Sequence, residues 1–126
     1  MKNKILLIML SVFLLGCASP IEYDREIFSI TSDVKLESIN SVSNVRERDG
    51  QVLVQVQGVS SKNQSVYYKV EWFDYNFINI SSDLSRWKRA NLRENSDFLW
   101  KMVAPSKRAV SYKIYITREI GDGLLD

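Results

Sequence analysis

Residues 51–57 read QVLVQVQ, and this alternation of apolar and polar side chains decides the fold class of the chain. Val52, Val54 and Val56 fall on one side of an extended backbone, whereas the three glutamines fall on the other. A period of two over this length is typical of a strand with one buried face. The segment therefore predicts a half-buried β-strand.

A turn signal stands directly before this strand. Asp49-Gly50 is a tight-turn dipeptide, and glycine accepts the positive φ that such a corner requires. We expect the strands on either side of it to form a hairpin.

The same alternation returns along the rest of the chain. Residues 68–72 and 110–116 show it as clearly as the opening stretch, and Pro105 ends the strand before the last one. Residues 80–92 lack a convincing helical stripe and are read as a loop followed by a strand. The four weaker strand candidates are residues 34–40, 42–48, 87–93 and 98–103. We therefore predict an all-β fold: an immunoglobulin-like antiparallel β-sandwich of about seven strands, formed by residues 34–118.

The N-terminus has the layout of a secretory leader. Lys2 and Lys4 precede an apolar run over residues 5–15, which is followed by Gly16 and Cys17. The run is about half of the ~20 apolar residues that a membrane-spanning helix needs. The residues Leu-Leu-Gly-Cys at 14–17 resemble the lipobox of bacterial lipoproteins. That resemblance implies a signal peptide over residues 1–16, cleavage between Gly16 and Cys17, and lipidation of Cys17 with fatty acids such as palmitate.

The segment after Cys17 predicts where the domain resides. Residues 17–33 show no sustained period and are read as a lipidated tether, with a short strand possible around Phe28. Ala18 follows the cysteine where inner-membrane retention typically calls for Asp, so we expect a lipid anchor in the outer membrane, facing the periplasm. Residues 119–126 are expected to form a polar C-terminal tail.

Charge and composition narrow the function. Removing Lys2 and Lys4 from the 17 basic residues leaves 15, which equals the 15 acidic residues. A neutral domain gains no general attraction for nucleic acid, so no nucleic-acid partner is expected. The chain contains no histidine, which removes the usual nucleophile-activating and zinc-binding groups. We therefore predict a protein that is not an enzyme, holds no metal or cofactor, and binds another component of the cell envelope, most simply a protein; its oligomeric state stays open.

Two alternatives use residues of the chain's second half. Arg86, Trp87, Lys88 and Arg89, with Arg93 nearby, form a basic patch that could bind a glycan or a lipid headgroup, unless Trp87 instead fills the core. The pairs Glu71/Asp74 and Glu94/Asp97 could in principle serve as acid and base of a glycan (peptidoglycan) hydrolase. A spacing of three on a strand places such side chains on opposite faces, which argues against the hydrolase.

Residues 68–74, Tyr-Lys-Val-Glu-Trp-Phe-Asp, resemble the YcfL-like family of small periplasmic, outer-membrane lipoproteins of unknown function. In that family an aromatic-rich strand ends in a Trp-aromatic-Asp corner, a lone Trp follows, here Trp87, and an Ala-Pro pair precedes the last strand, here residues 104–105. Asn76 and residues 58–60 depart from the family's loop pattern. The resemblance covers residues 45–117 and implies an immunoglobulin-like sandwich without an established activity.

Overall fold

The computed structural model describes residues 21–82 and 85–119 and contains eight β-strands within them. No α-helix occurs among these residues, and none of their segments forms a helix long and apolar enough to cross a membrane. The strands are β1 (Phe28–Ile30), β2 (Leu36–Val45), β3 (Val52–Ser60), β4 (Gln64–Phe73), β5 (Asn79–Ile80), β6 (Lys88–Leu92), β7 (Asp97–Val103) and β8 (Ser111–Thr117).

The strands form two sheets. The first sheet has the order β1-β8-β4, and the free side of β4 pairs with β6 along its first half and with β5 at its end. The second sheet has the order β2-β3-β7 and is antiparallel throughout. The predicted all-β sandwich is confirmed, with eight strands where about seven were predicted.

The core lies between the two sheets and consists of the side chains that alternation places inward. Val54 and Val56 of β3 are fully buried, as predicted from their period. Tyr68 of β4 stacks on Trp100 of β7, with ring centroids 3.9 Å apart, and so joins the two sheets. The other large buried side chains are Phe28, Leu36, Ile39, Val66, Val70, Trp72, Leu92, Met102, Ile114 and Ile116.

The hairpin predicted at Asp49-Gly50 is confirmed. Gly50 has φ +73°, and its amide donates to the carbonyl of Arg46 at 2.8 Å. The Asp49 carboxylate accepts from the amide of Gln51 and pairs with Arg46. Glycine is therefore required here by the backbone conformation.

Three sequence predictions are corrected by the strand boundaries. Residues 34–40 and 42–48 are not two strands, because β2 runs without a break from Leu36 to Val45 against β3. Gly58 lies inside β3 and not in a loop, since it pairs with Ile39 on one side and Phe98 on the other. The strand predicted over residues 87–93 is shorter and spans β6.

The segment predicted as a tether contributes to the fold. Phe28 is buried, and β1 pairs with β8 in parallel, so the sandwich is not wholly antiparallel. Ile21 and Tyr23 also pack against the core, and Tyr23 meets Phe28 edge to face. Burying these side chains stabilises the packed arrangement over a free chain. The folded domain therefore begins before residue 34, and a tether over residues 17–33 is wrong for residues 21–33.

Candidate functional site

The two ends of the sandwich differ in the side chains that they expose. We call the end with the turns 46–51, 74–78 and 104–110 the apolar end, and the end with the loops 31–35, 61–63 and 93–96 the entry end. Across residues 21–82 and 85–119, seven large apolar side chains are exposed. Four of them lie in the turns of the apolar end, namely Tyr75, Phe77, Ile78 and Val110, and a fifth, Val45, ends β2 directly before the turn 46–51. Exposed apolar groups gathered in one region are a feature of interaction surfaces.

The turn 74–78 holds the most exposed of these side chains. Tyr75 is 84% and Phe77 is 82% exposed. The Asp74 carboxylate accepts hydrogen bonds from the amides of Asn76 and Ile78, and the Asp74 amide donates to the Ile78 carbonyl. These bonds fix the turn, so the two aromatic rings stand on a defined backbone.

Phe77 occupies an unfavourable backbone conformation. Its φ is +63°, in the left-handed region that costs a residue with a Cβ roughly 1–2 kcal/mol. Asn76, where the sequence departs from the loop pattern of the family it resembles, does not adopt a positive φ; Phe77 does. The strain is not offset by burial, because the Phe77 ring lies in solvent.

The loop before β8 joins the apolar end into one surface. The Val110 amide donates to the carbonyl of Phe73, the last residue of β4, which places Val110 beside the turn 74–78. The Lys107 side chain passes within 3.3 Å of the position that a Cβ on Gly50 would take. The loop 104–110 therefore touches both the β2–β3 hairpin and the β4 end.

The predicted basic patch is divided by the fold. Lys88 pairs opposite Tyr68, whose side chain faces the core, whereas Arg89 lies on the outer face and contacts the Ser65 hydroxyl at 3.4 Å. Arg93 lies in the turn after β6. The basic residues thus do not share one face, and Arg86 precedes the strand.

Trp87 lies on the outer face of the first sheet, so the interpretation that it fills the core is wrong. Its ring is half-buried and lies under the ammonium group of Lys69, 4.9 Å from the ring centroid. The same ammonium group stands 3.4 Å from Glu71 and 5.3 Å from the Tyr115 ring centroid. Sequence reasoning missed this cluster, because only the pairing of β4 with β6 and β8 brings its members together.

We call this group of side chains, Lys69, Glu71, Trp87 and Tyr115, the outer-face cluster. Its charged groups are paired with other members of the cluster. Tyr115 donates a hydrogen bond to Glu71 at 3.1 Å. Burial raises the pKa of Tyr115 above its ordinary value, and the hydrogen bond to Glu71 and its negative charge raise it further. Glu71 is therefore held between a lysine and a tyrosine.

The structure places the carboxylates considered for catalysis in separate roles. Asp74 caps the turn 74–78, whereas Glu71 lies within β4 on the outer face. Glu94 and Asp97 are both exposed, at the turn before β7 and at its first residue. Gly16 and Cys17, the predicted cleavage and lipidation residues, lie outside the described residues.

Two packed sheets with short connections and one exposed apolar end define a small all-β sandwich domain. The model of the family described as "Protein of unknown function (DUF1425)" matches residues 27–118, and the chain belongs to this family. Its first residue, 27, agrees with the start of the folded domain at β1 rather than at residue 34.

Two solved structures are similar in fold. Cj0090 from Campylobacter jejuni has a TM-score of 0.67 at 15% identity and covers 75% of this chain and 100% of its own. A DUF1425 family member from Shewanella sp. has a TM-score of 0.56 at 20% identity and covers 67% of this chain and 81% of its own. No curated protein gives a significant match to the sequence. These likenesses support the sandwich fold.

Proposed function

We propose that the protein is a lipid-anchored, non-catalytic docking module of the outer membrane that faces the periplasm and holds another envelope protein through its apolar end. The observation that carries this proposal is the turn 74–78, where two aromatic side chains are held in solvent by a capped and strained backbone. Strain that brings no packing gain is typical of positions kept for contact with a partner.

The location of Ile21, the first described residue, supports a protein as the partner of the apolar end and not the bilayer that holds the anchor. Ile21 lines a shallow cavity with Val34, Leu36 and Ser61, all at the entry end. Only residues 18–20 separate Cys17 from Ile21, a reach of about 14 Å when fully extended. β4, with ten residues, spans about 30 Å between the entry end and the apolar end. Fatty acids on Cys17 would thus hold the entry end at the membrane and turn the apolar end away.

The acidic residues that were considered for catalysis fit a non-catalytic role. Glu71 and Asp74 are engaged in hydrogen bonds within the domain. An apolar surface with a few hydrogen-bonding groups is suited to the core of a protein interface, where aromatic side chains contribute most of the affinity.

The test is photo-crosslinking in intact cells with a benzoyl-phenylalanine residue at position 75 of the full chain. The matched control carries the same residue at Lys62, which is exposed at the entry end. We expect one discrete adduct from position 75, no such adduct from position 62, and loss of the adduct when Phe77→Asn is added. Asparagine tolerates a positive φ better than phenylalanine, so the variant should unfold at the same or a higher temperature.

Adducts of the same size from positions 75 and 62, or an adduct that survives Phe77→Asn combined with Ile78→Ser, would refute docking through the apolar end. The anchor is tested separately, by metabolic labelling with an alkyne fatty acid. We expect labelling of the wild-type chain and none of Cys17→Ser; an unlabelled wild-type chain would refute the anchor alone.

A further inference from the structure

The second sheet leaves a long strand edge open. Within the described residues, β2 pairs only with β3, so one side of its ten-residue backbone has no strand partner. The edge strands of the first sheet are short: β1 has three residues, β5 two and β6 five. An edge of this length presents a row of free amide and carbonyl groups to any extended segment.

β2 also lacks the features that usually protect an edge. From Ser38 to Val45 it contains no charged residue and no proline, and the register shift beside Glu37 affects only its first end. Residues 42–45 are exposed on both faces, although Val54, the β3 partner of Ser43, is fully buried. β7, the other edge of this sheet, carries exposed charges at Asp97 and Lys101.

We propose that β2 pairs antiparallel with β2 of a second copy of this chain, and that the two three-stranded sheets join into one of six strands. We infer a second copy as the partner of the β2 edge because the charge of the strand does not oppose pairing with itself. In a pairing centred on Ser41, the only charged residue of each strand, Glu37, lies about 27 Å from its counterpart. That distance exceeds the screening length of about 8 Å at physiological ionic strength, so the edge does not repel itself.

Two-fold pairing also ends the association at two copies. The same patch is used by both partners, which closes the assembly. The new outer edges are the two β7 strands, whose Asp97 and Lys101 oppose further addition. Pairing centred on Ser41 or on Val42 brings the two Val42 side chains into diagonal or direct contact on the outer face.

Val42 and Leu99 form a matched pair for the test. Both side chains are 50% exposed on the outer face of the second sheet, but Val42 lies on β2 and Leu99 on β7. The full chain, purified in mild detergent, is studied by sedimentation over a concentration series. We expect the wild-type chain to form dimers, Val42→Lys to raise the dissociation constant roughly tenfold or more, and Leu99→Lys to leave it unchanged.

A second readout does not depend on the register. Amide hydrogen exchange of residues 38–45 should slow as the protein concentration rises, whereas exchange of residues 97–103 should not. A wild-type chain that stays monomeric, equal weakening by both lysine variants, or exchange in β2 that is independent of concentration would each overturn the proposal. Sharing of one detergent micelle by two copies affects both lysine variants alike and cannot produce the difference between them.

Discussion

Gly58 offers the sharpest test of how the second sheet is packed. A Cβ at this position would lie 2.5 Å from Phe98 Cζ and 2.6 Å from the carbonyl oxygen of Ser38. Gly58 lies in β3, the middle strand of its sheet, and is paired with β2 on one side and β7 on the other. Neighbouring atoms already occupy the place that a Cβ at position 58 would take, so the substitution Gly58→Ala overpacks this part of the sheet.

The two close approaches have different consequences. The Phe98 ring can turn aside at some cost in packing, but the Ser38 oxygen belongs to the backbone of β2 and moves only if the pairing of β2 with β3 shifts. Overpacking typically costs 1–3 kcal/mol, and a backbone contact places this case near about 3 kcal/mol. Alanine also reduces the freedom of the unfolded chain, which offsets about 0.4–1 kcal/mol. The expected net loss is about 2 kcal/mol, or a melting temperature lower by about 10 °C.

The assay is urea unfolding of Gly58→Ala, Phe98→Ala and the double variant. Removing the ring relieves one of the two contacts, so the double variant should be more stable than the sum of the single losses predicts. Gly50→Ala is the control for a glycine substitution that meets no backbone atom. Its cost of about 1–2 kcal/mol comes from the left-handed φ, and its nearest neighbour is the flexible Lys107 side chain. A neutral Gly58→Ala, or single losses that add without coupling, would contradict the reasoning.

Gln64, Asp74 and Glu71 each take part in hydrogen bonds whose loss can be measured. Gln64→Leu should lower the free energy of unfolding by about 2–3 kcal/mol in urea titration, because the buried amide of Gln64 bonds the Lys35 backbone and the Ser60 hydroxyl. Asp74→Ala should cost about 1 kcal/mol, whereas Asp74→Asn keeps the accepting oxygen and should cost less; equal losses would show that the carboxylate does not fix the turn. The pKa of Tyr115 is raised in the folded state, so the contribution of the protonated phenol to stability should be present below its ordinary pKa near 10 and be lost as the pH rises through the higher folded pKa. Glu71→Gln should lower the pKa of Tyr115 in an absorbance titration. An unchanged pKa would refute the role of Glu71.

The sequence predicted the interior of the sandwich well, because each inner face is set by local alternation. The valines at 52, 54 and 56 and the alternating side chains of β4 and β8 needed no knowledge of their partners. Gly50 was equally predictable, since a turn between two strands is a local feature.

The misses arose where pairing between distant segments decides the outcome. The short strand considered possible around Phe28 is present, but its parallel pairing with β8 and its place in the folded domain could not be read from three residues. Trp87 lies on the outer face because β6 follows the register of β4. The apolar end was missed for a related reason: exposed Tyr75 and Phe77 cannot be told from core residues until the turn that carries them is placed.

The deviations from local rules in this domain are not spread evenly. Where the inner faces meet, pattern, turn residues and packing agree, as a stable fold requires. At the apolar end Phe77 takes a conformation better suited to glycine or asparagine, and its ring gains no burial in return. Along β2 the unprotected edge is a deviation of another kind, because exposed strand edges that can pair with other chains are normally avoided. Neither feature stabilises the isolated domain. Contacts of the Phe77 ring with a partner would offset the backbone strain, and pairing with another strand would cover the open edge. Both features are what the proposed contacts with other molecules would require.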